Sequence, residues 1–583
     1  MFGIPWHRLP TPLALLNLNR FRKKLRQENL HDTSQLPDKE KLPKAVPDPK
    51  GRHLVARTVD GSFNDLDTPE MGMAGTRFGR NVPLKEAYPD EKNLLNPNPR
   101  IVSRVLMTRD EFKPATTLNV LAAAWIQFSN HDWFEHGRNQ AKKMEIPLEP
   151  DDPWLQKHQT MEIPTTEADS TRLPGNSDGP PTYLSKSTHW WDGSQIYGSN
   201  RETVDRLRSH VDGKMVINDE GLLPFDAEKG LDATGFNDNW WVGLSLLHTL
   251  FAKEHNAICD RLKQKYPDWK DDELFDRARL INAALMAKIH TTEWTPGILG
   301  HPALQIGMDA NWWGMLGSHF KKLWGRVGDG ELLSGIIGSP TDHHTAPYYL
   351  TEEFVSVYRL HPLIPDEFEV YSHKDGKLLL KKNFFEFSGK RTRELVETIA
   401  MPDLFYSIGI SHPGAITLHN YPRFLQELVR DNGEIFDLAM VDIIRDRERG
   451  VPRYNRFREL IGRGAVKSFE EITSNPQWVK EMREVYNNDI DAVDLMVGMF
   501  AEDLPEGFGF SDTAFRVFIL MASRRLKSDR FFTKDYTAEV YTQLGLDWIE
   551  NNTMLDVLRR HHPDLATSLF GVKNAFAPWR RVG

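Results

Sequence analysis

The sequence predicts one large, mainly α-helical domain with few short strands. From about residue 115 onward, most of the 583-residue chain carries apolar side chains at helical spacing. No internal repeat, low-complexity tract or evident linker divides the chain. An apolar content of 40% is enough to bury a large core at this length. The clearest strand signal is the short stretch 369–381.

The first element in chain order, residues 1–30, has a basic amphipathic pattern. Leucines and Phe21 are interleaved with Arg20, Lys23 and other bases. Such a helix can lie in a lipid interface with Trp6 near the headgroups, or it can pack on the body with a solvated basic face. Both interpretations stay open here. No signal peptide or membrane span is evident, so we expect an intracellular protein, soluble or peripherally bound to membranes.

Two regions follow this segment. Repeated prolines among Asp, Asn and Lys residues predict an irregular arm over 31–114 that wraps the body. The body is expected over 115–583, and its proline-rich acidic stretch 150–185 is predicted to be a surface loop. Helical periodicity within the body occurs at 115–136, 240–264, 272–295, 351–361, 393–400, 422–430, 488–502 and 511–527.

Charge and cysteine content exclude several functional classes. The net charge of −9 comes from interspersed acids and bases, so the chain lacks the basic stripe of a nucleic-acid-binding protein. Cys259 is the single cysteine, which excludes an intramolecular disulfide, a four-cysteine zinc site and a cysteine-held iron–sulfur cluster. Its apolar helical surroundings favour a buried structural thiol over a haem ligand.

Two segments carry residues suited to a metal-centred site. Gln127 and His131 are four residues apart and share one helix face, with small residues nearby that leave space for a flat or bulky group. Tyr358 and His361 are three apart and are expected to face the same way. Pro362 should end their helix just past the histidine, where a ring can ligate a metal without crowding. Each pair alone is typical of ordinary packing, and only the presence of both pairs in one chain indicates a metal-centred site.

Taken in order along the chain, these segments resemble the animal haem peroxidase superfamily, also known as the peroxidase–cyclooxygenase superfamily, and most closely its fatty-acid α-dioxygenases. The resemblance extends from about residue 50 to the C-terminus. Residues 247–256, with His248 and His255, look like the superfamily's helix under the haem pocket, and residues 445–455 look like its arginine-rich loop. The resemblance therefore implies a large single-domain helical fold of the haem peroxidase type.

The resemblance implies roles for individual residues around a haem b. His131 corresponds to the distal histidine, Gln127 to a glutamine of the same pocket, and His361 to the proximal iron ligand. Asn420 would hydrogen-bond the second ring nitrogen of the proximal histidine, and Arg423 would reach a haem propionate.

Two departures from the mammalian members qualify this expectation. Asn130 stands where those enzymes carry the aspartate that esterifies haem, so the haem is expected to be held non-covalently. The stretch 237–247 also lacks their distal arginine, which predicts a poor peroxidase.

A calcium ion beside the distal helix is also implied. Its ligands would be the side-chain oxygens of Asp132, Thr188, Asp192 and Ser194, together with the backbone carbonyl of Trp190. Ca²⁺ prefers such hard oxygen ligands. A loop of this pattern alone is a weak signal, and it is strengthened by the aspartate next to the distal histidine.

The α-dioxygenase resemblance extends to the substrate. His290, Thr295 and Arg525 match segments that bind a fatty-acid carboxylate, because arginine gives a bidentate clamp and the other two supply hydrogen bonds. A hydroperoxide would initiate the reaction by generating a tyrosyl radical at Tyr358. That radical would remove the C2 hydrogen, dioxygen would add, and a 2-hydroperoxy fatty acid would form.

Two alternatives stay open. A mid-chain fatty-acid dioxygenase or a haem peroxidase of the same superfamily is the first, because residues 57–61 and 72–76 resemble segments shared with fungal mid-chain dioxygenases. The second is a non-enzymatic haem-binding or interaction protein. That alternative requires the chemical residues to be missing, and they are present.

Overall fold

The computed structural model describes residues 5–429 and 433–582, and it confirms a mainly helical protein with few short strands. Residues 1–4 of the basic N-terminal segment, residue 430 at the end of the predicted helix 422–430, and residue 583 lie outside the described residues. The helices of the N-terminal half are α1 (Thr11–Glu28), α2 (Pro99–Val102), α3 (Val120–Trp133), α4 (Ser194–Tyr197), α5 (Arg201–Leu207), α6 (Val242–Lys265), α7 (Asp271–Ile289), α8 (Thr295–Ile298), α9 (Pro302–Trp313), α10 (Gly317–Trp324) and α11 (Glu331–Ser334).

The C-terminal half continues the helical pattern. Its helices are α12 (Glu352–Val357), α13 (Arg391–Thr398), α14 (Met401–Ile410), α15 (Arg423–Gln426), α16 (Leu438–Glu448), α17 (Tyr454–Leu460), α18 (Pro476–Val485), α19 (Leu495–Ala501), α20 (Asp512–Ser528), α21 (Ala538–Asn551) and α22 (Met554–His561). The predicted helices 422–430 and 488–502 are shortened to α15 and α19, because capping and tertiary packing set helix ends more strongly than periodicity does.

The strands of the described chain form two-stranded antiparallel pairs. These are β1 (Arg138–Pro147) with β2 (Thr160–Thr166), β3 (Phe225–Asp226) with β4 (Leu231–Asp232), β5 (Glu367–Tyr371) with β6 (Leu378–Asn383), and β7 (Leu428–Val429) with β8 (Ile435–Phe436). The stretch predicted as a strand over 369–381 is thus the β5–β6 pair with its turn. The prediction of a loop over 150–185 was wrong for β2, whose Met161 and Ile163 bury themselves beside Ile146 of β1.

The centre of the core is built by α3, α6 and α7. Helix α7 packs between α6 and α21, and α3 packs against α6 and α14. Consecutive alanines at 122–124 let neighbouring helices approach α3 closely, and the Asn119 side chain caps its first turn by accepting from the backbone N–H of Ala122. The last turn of this buried helix carries His131, so the rigid core positions that side chain.

The chain remains helical beyond the last residue of α7. It runs through a π-helical turn, His290–Trp294, into α8, and the backbone N–H of Thr295 bonds to the carbonyl of His290, five residues earlier. Such π-turns insert one extra residue into a helix and are common at functional sites. In a regular α-helix, residues five apart point to different sides, whereas the wider π-turn brings His290 and Thr295 toward the same side.

The N-terminal helix is packed on the body. Trp6, just before α1, is 4% exposed, and its indole N–H donates to Asp512 at 2.8 Å. The expectation of Trp6 near lipid headgroups was therefore wrong. Arg22 and Arg26 of α1 are buried and ion-paired with Glu331 of α11. Within the described residues no helix is long and apolar enough to cross a bilayer.

The segment between α1 and α3 has little regular structure, and buried arginines attach it to distant parts of the chain. The guanidinium of Arg80 bonds to Glu353 at 2.8 Å and to the carbonyls of Arg449 and Gly450. Arg77 pairs with Asp169 at 2.7 Å. Because each contact joins residues at least 92 positions apart, this segment depends on the fully folded body for its conformation.

Candidate active site

Tyr358 and His361 occupy different environments although they are close in sequence. Helix α12 ends at Val357, Tyr358 is its C-cap, and His361 begins a separate 3₁₀ turn. The prediction that one helix continues to His361 was wrong, because a residue before proline is disfavoured in helical conformation. The backbone carbonyl of Tyr358 accepts from the Asn130 amide at 3.4 Å, which joins this segment to the end of α3.

The His361 ring is oriented by a buried carboxylate. Its Nδ1 lies 2.8 Å from Oδ2 of Asp442 on α16, and the same oxygen accepts from the Tyr421 hydroxyl at 2.9 Å. Oδ1 of Asp442 accepts from Arg359 at 3.0 Å. Burial opposes ionisation, but the charge and hydrogen bond of His361 and the charge of Arg359 hold the pKa of Asp442 below its ordinary value. An ionised carboxylate can only accept, so it fixes Nδ1 as the donor and leaves Nε2 free to bind a metal.

This network corrects the predicted partner of His361. Asn420 instead donates to the carbonyls of Lys113 and Ala415 at 2.9 and 2.7 Å, and it accepts from Arg109. An Asn amide fully used in bracing backbone cannot also serve the histidine. Asp442 was missed, although it lies only three residues before the arginine-rich loop that sequence comparison singled out.

Arg423 likewise does not contact the His361–Asp442 network. Its side chain is 52% exposed, and it contacts the carbonyl of Arg109 and the carboxylate of Asp110 at the surface. The structure gives no support to a propionate contact from this position.

The predicted distal residues lie one turn apart at the end of α3. His131 is buried, its Nδ1 has no hydrogen-bond partner, and its ring packs edge-on against Phe236 at 4.6 Å. Burial lowers the pKa of His131 to about 3, so its ring is neutral near pH 7. Gln127 accepts from the Trp241 indole at 2.8 Å and donates to the carbonyl of Asn239 at 3.2 Å, which fixes its amide.

Arg525 on α20 lies among aromatic rings and keeps two donors unpaired. Its guanidinium carbon is 4.2 Å from the centre of the Trp133 ring and 4.6 Å from that of Trp191. The residue is 1% exposed, yet Nε and Nη2 have no hydrogen-bond partner. Leaving a buried guanidinium without acceptors is costly, so this position is suited to an anionic ligand.

Three further polar groups around Trp133 are buried without partners. They are the Tyr358 hydroxyl, Nε2 of His290 and Oγ1 of Thr295. The rings of Tyr358 and His290 lie 5.1 and 5.2 Å from that of Trp133. Burial raises the pKa of Tyr358 well above its ordinary value, against the opposing charge of Arg525, so the phenol stays protonated. The structure thus brings Tyr358, His290 and Arg525 together around Trp133, and Thr295 lines the same cavity as His290.

An apolar cavity, partly open to solvent, is lined by two members of this cluster, His290 and Thr295. His290, Thr295 and Trp191 lie at its inner end, and α1, α9 and α11 surround its outer end. Its apolar walls include Leu18, Leu304, Met308, Phe515, Phe518 and Leu526. An apolar cavity with a few convergent polar groups at one end fits an amphiphile whose anionic head is innermost.

The residues predicted to bind calcium form one buried group of oxygens. The backbone N–H and the hydroxyl of Ser194 donate to Asp132 at 2.5 and 2.9 Å, while Asp192 and Trp190 are fully buried close by in sequence. Burial, and then the charge of Asp192, raises the pKa of Asp132 to about 7. Oδ2 of Asp132 and Oγ1 of Thr188 lack partners. No group of three or more His, Cys, Asp or Glu side chains in the described chain could hold a metal ion, so an ion here would need hydroxyl and backbone oxygens.

Comparison with known proteins places these features in a family. The family model for animal haem peroxidase matches residues 56–571. The chain is 38% identical to α-dioxygenase PIOX of Oryza sativa subsp. japonica, over 98% of this chain and 93% of that protein. It is 37% identical to α-dioxygenase 1 of Arabidopsis thaliana, over 99% of this chain and 90% of that protein.

Solved structures agree with the sequence comparison. A crystal structure of a fatty acid α-dioxygenase variant from Oryza sativa with palmitic acid has a TM-score of 0.91 and 37% identity, and the match covers 98% of this chain and 94% of that chain. Peroxidase A from Dictyostelium discoideum, at 21% identity and a TM-score of 0.71, shares the fold.

Proposed function

The chain belongs to the animal haem peroxidase family and, within it, to the α-dioxygenases, and from this membership we propose that it oxygenates fatty acids at C2. The observation that carries the proposal is a group of four unpartnered buried polar side chains beside an apolar cavity. His290 and Thr295 line its inner end, while Arg525 packs against Trp191 of the cavity wall and Tyr358 packs against Trp133. A carboxylate bound there would supply the acceptors that Arg525 lacks. It would also bring its own α-carbon beside the Tyr358 hydroxyl.

The residues present fit a non-covalently held haem b. His361 offers Nε2 as the iron ligand, because Nδ1 is engaged by Asp442. His131 carries an unpartnered ring nitrogen in a neutral ring, as expected of a group that accepts protons from a peroxide. When bound, the haem supplies the one-electron oxidation, started by a hydroperoxide, that converts a tyrosine into a radical.

Arg525, His290 and Thr295 fix the position of the substrate. The guanidinium donates to the carboxylate through the unpaired Nε and Nη2, and Nε2 of His290 and the Thr295 hydroxyl add hydrogen bonds. Trp133 and Trp191 both pack against the guanidinium and exclude water from the head group. With the carboxylate fixed, the nearest C–H to the phenol oxygen is at C2, so binding geometry sets the position of attack.

Tyr358 then transfers a hydrogen atom twice. The phenoxyl oxygen takes the hydrogen from C2, which forms the O–H bond and leaves a carbon radical. Dioxygen adds to that radical and gives a peroxyl radical. The peroxyl oxygen takes the hydrogen back from Tyr358, which yields the 2-hydroperoxy acid and restores the tyrosyl radical. Burial favours this cycle because the neutral phenol has no competing hydrogen-bond acceptor.

A calcium ion at the oxygen group around Asp132 belongs to the same proposal. The unpartnered Oδ2 of Asp132 and Oγ1 of Thr188 are the atoms that would complete its coordination. Because Asp132 follows His131 directly, an ion here would stiffen the end of α3. Lipid contact through the N-terminal segment also remains a proposal, and α1 keeps Leu13 and Leu16 exposed for it.

The test is oxygen consumption by the haem-loaded protein with palmitate, followed by mass spectrometry of the product. We expect 2-hydroperoxypalmitate or the aldehyde one carbon shorter. Uptake with linoleate but not with palmitate would replace the proposal with mid-chain oxygenation, because palmitate offers no bis-allylic hydrogen. Turnover of a phenolic reductant with peroxide, without oxygen uptake, would indicate a peroxidase.

A further inference from the structure

The mouth of the apolar cavity is framed by three helices that are firmly attached to one another. Arg22 of α1 donates to Asn311 of α9 at 2.7 Å, and Arg26 of α1 pairs with Glu331 of α11 at 3.0 Å. Leu15 lines the cavity and meets α9 at Gly307, where an added Cβ would lie 3.7 Å from its Cδ2. The mouth is therefore a fixed opening in the folded body.

Large apolar side chains surround this mouth and point into solvent. Prominent members are Leu13 and Leu16 on α1, Ile306 on α9, Leu323 and Trp324 on α10, and Leu333 on α11. Leu323 is 79% exposed and Trp324 is 75% exposed, the most among the exposed large apolar residues of α9 to α11. We call this surface, formed by residues 13–16, 306 and 315–333, the apolar rim. Met315 and Leu332 of the rim also line the cavity, so the two surfaces are continuous.

An exposed apolar patch of this kind indicates a binding surface, since soluble proteins rarely expose so many large apolar residues together. The charges beside it favour a lipid surface. Along the solvent face of α1, exposed Arg20, Lys23 and Lys24 follow the exposed leucines, and Lys322 precedes Leu323 on α10. Glu28, Asp309 and Asp329 are the exposed acids in the same segments, and Glu28 pairs with Lys24, so four exposed bases stand against three exposed acids. Basic residues beside leucines and an exposed tryptophan are typical of an interfacial helix.

We propose that the apolar rim docks on a lipid bilayer and that fatty acid enters the cavity from that bilayer. The inference rests on the proposed function for the identity of the cargo. A fatty acid in a bilayer keeps its carboxylate at the headgroup level and its tail below. Entry through the rim therefore takes the carboxylate in first, toward Arg525, and draws the tail after it, which matches the polarity of the cavity. The sequence pointed only to the N-terminal helix, whereas most of the rim lies on 306–333.

The test is co-sedimentation of the full-length protein with sonicated vesicles of phosphatidylcholine alone and with added phosphatidylglycerol. We expect binding to both and tighter binding to the anionic vesicles. The double variant Leu323→Glu with Trp324→Glu should bind about tenfold less, because two exposed apolar contacts are replaced by charges. The matched control is Phe570→Glu, which changes a 74% exposed apolar residue outside the rim and should bind as the parent does.

Three outcomes would overturn the inference. The parent could fail to bind vesicles of either composition, the double variant could bind as the parent does, or Phe570→Glu could lose binding equally. Light scattering after size exclusion adds a fourth. If the parent is a dimer that the double variant dissociates, the rim is an interface between two copies of the chain.

The design also separates this inference from the proposed function. Vesicle binding is measured without turnover. In turnover, the double variant should oxygenate palmitate in vesicles at least about fivefold more slowly than the parent, but water-dissolved octanoate at the same rate. Correct vesicle binding with no oxygenation of either acid would contradict the proposed function and leave the docking surface standing. An equal loss with both acids would show damage to the active site and would contradict delivery through the rim.

Discussion

The two sides of Tyr358 differ in whether their buried polar groups are satisfied. At His361, every hydrogen-bonding oxygen of Asp442 is engaged, and the carboxylate holds the imidazole, a phenol and a guanidinium at once. Around Trp133, by contrast, Arg525, His290 and the Tyr358 hydroxyl all carry buried polar atoms without partners. Both oxygens of Asp442 are thus satisfied, although Nε of its partner Arg359 is buried without an acceptor, whereas each of the residues around Trp133 keeps an unpartnered polar atom.

This difference fits the roles proposed for the two sides. A satisfied buried network rigidifies its members, as expected where a ring must be aimed at a metal. Unsatisfied buried polar atoms lower stability and persist where a ligand completes them. Substitutions around Trp133 should therefore lower turnover and leave stability unchanged. Substitutions around Asp442 should lower stability.

The largest effect is expected for Tyr358→Phe. Turnover of palmitate should fall on the order of a thousandfold or more, because the phenylalanine has no O–H bond to exchange with C2. The melting temperature should stay the same or rise, since the lost hydroxyl has no partner. Oxygen uptake and calorimetry measure the two quantities. The matched control is Tyr541→Phe, whose hydroxyl donates to the carbonyl of Phe531 at 2.9 Å and which should lose about 1 kcal/mol but keep turnover. Substantial oxygen uptake by the first variant would exclude the radical role.

Next in size is the contrast between two adjacent arginines. Arg525→Leu should lower kcat/KM for palmitate on the order of a hundredfold, because the carboxylate loses its charged partner, and should leave stability unchanged or improved. Arg524→Leu should do the reverse and lose about 3 kcal/mol with little change in turnover. Nη2 of Arg524 donates to the carbonyls of Ala346 and Pro347 at 2.5 and 2.8 Å. Equal losses of turnover in the two variants would contradict the assignment of the carboxylate site.

A third effect concerns the network around Asp442. Asp442→Asn should cost about 2 kcal/mol in the free energy of unfolding, measured with urea, because an amide cannot accept from all three donors. The haem reduction potential should also rise, since a less basic His361 stabilises the oxidised iron less. Asp110→Asn, which removes a surface ion pair with Arg423, is the control and should change neither quantity appreciably. An unchanged potential in the first variant would remove Asp442 from the tuning of the haem.

The smallest effect is expected from calcium. Protein treated with a chelator should regain about 1 to 3 kcal/mol of stability when Ca²⁺ is restored in excess over its dissociation constant. The gain should disappear in Asp132→Asn and should persist in Asp151→Asn, a 78% exposed carboxylate elsewhere. A melting temperature that ignores both chelator and calcium would show that the oxygens around Asp132 satisfy one another without an ion.

Sequence analysis succeeded where a residue's role depends on its own chemistry and on nearby spacing. Periodicity is a local property, so it located α3, α6, α7 and α20 correctly. His290, Thr295 and Arg525 were grouped only by resemblance. The structure places His290 and Thr295 on one cavity, and Arg525 and Tyr358 pack with His290 against Trp133. Their roles in binding and catalysis remain predictions.

The wrong predictions have a common physical cause, which is competition for contacts among groups that are distant in sequence. The sequence does not distinguish Asn420 from Asp442 as the partner of the His361 ring. In the folded protein the Asn420 amide is engaged by Arg109 and Lys113, and this leaves the ring to Asp442. No local pattern carries that information. The pairing of β1 with β2 and the burial of Trp6 against Asp512 are also tertiary effects.

The π-turn at His290–Trp294 has a consequence for how this protein tolerates change in chain length. Removing one residue there would restore ordinary helical winding and rotate everything beyond it by about 100° around the helix axis. Thr295 would leave the cavity, and α9, which frames the mouth, would swing away from α1. A single-codon deletion in this stretch is therefore far more damaging than most substitutions in it, and related enzymes should keep the residue count constant even where residues other than His290 change.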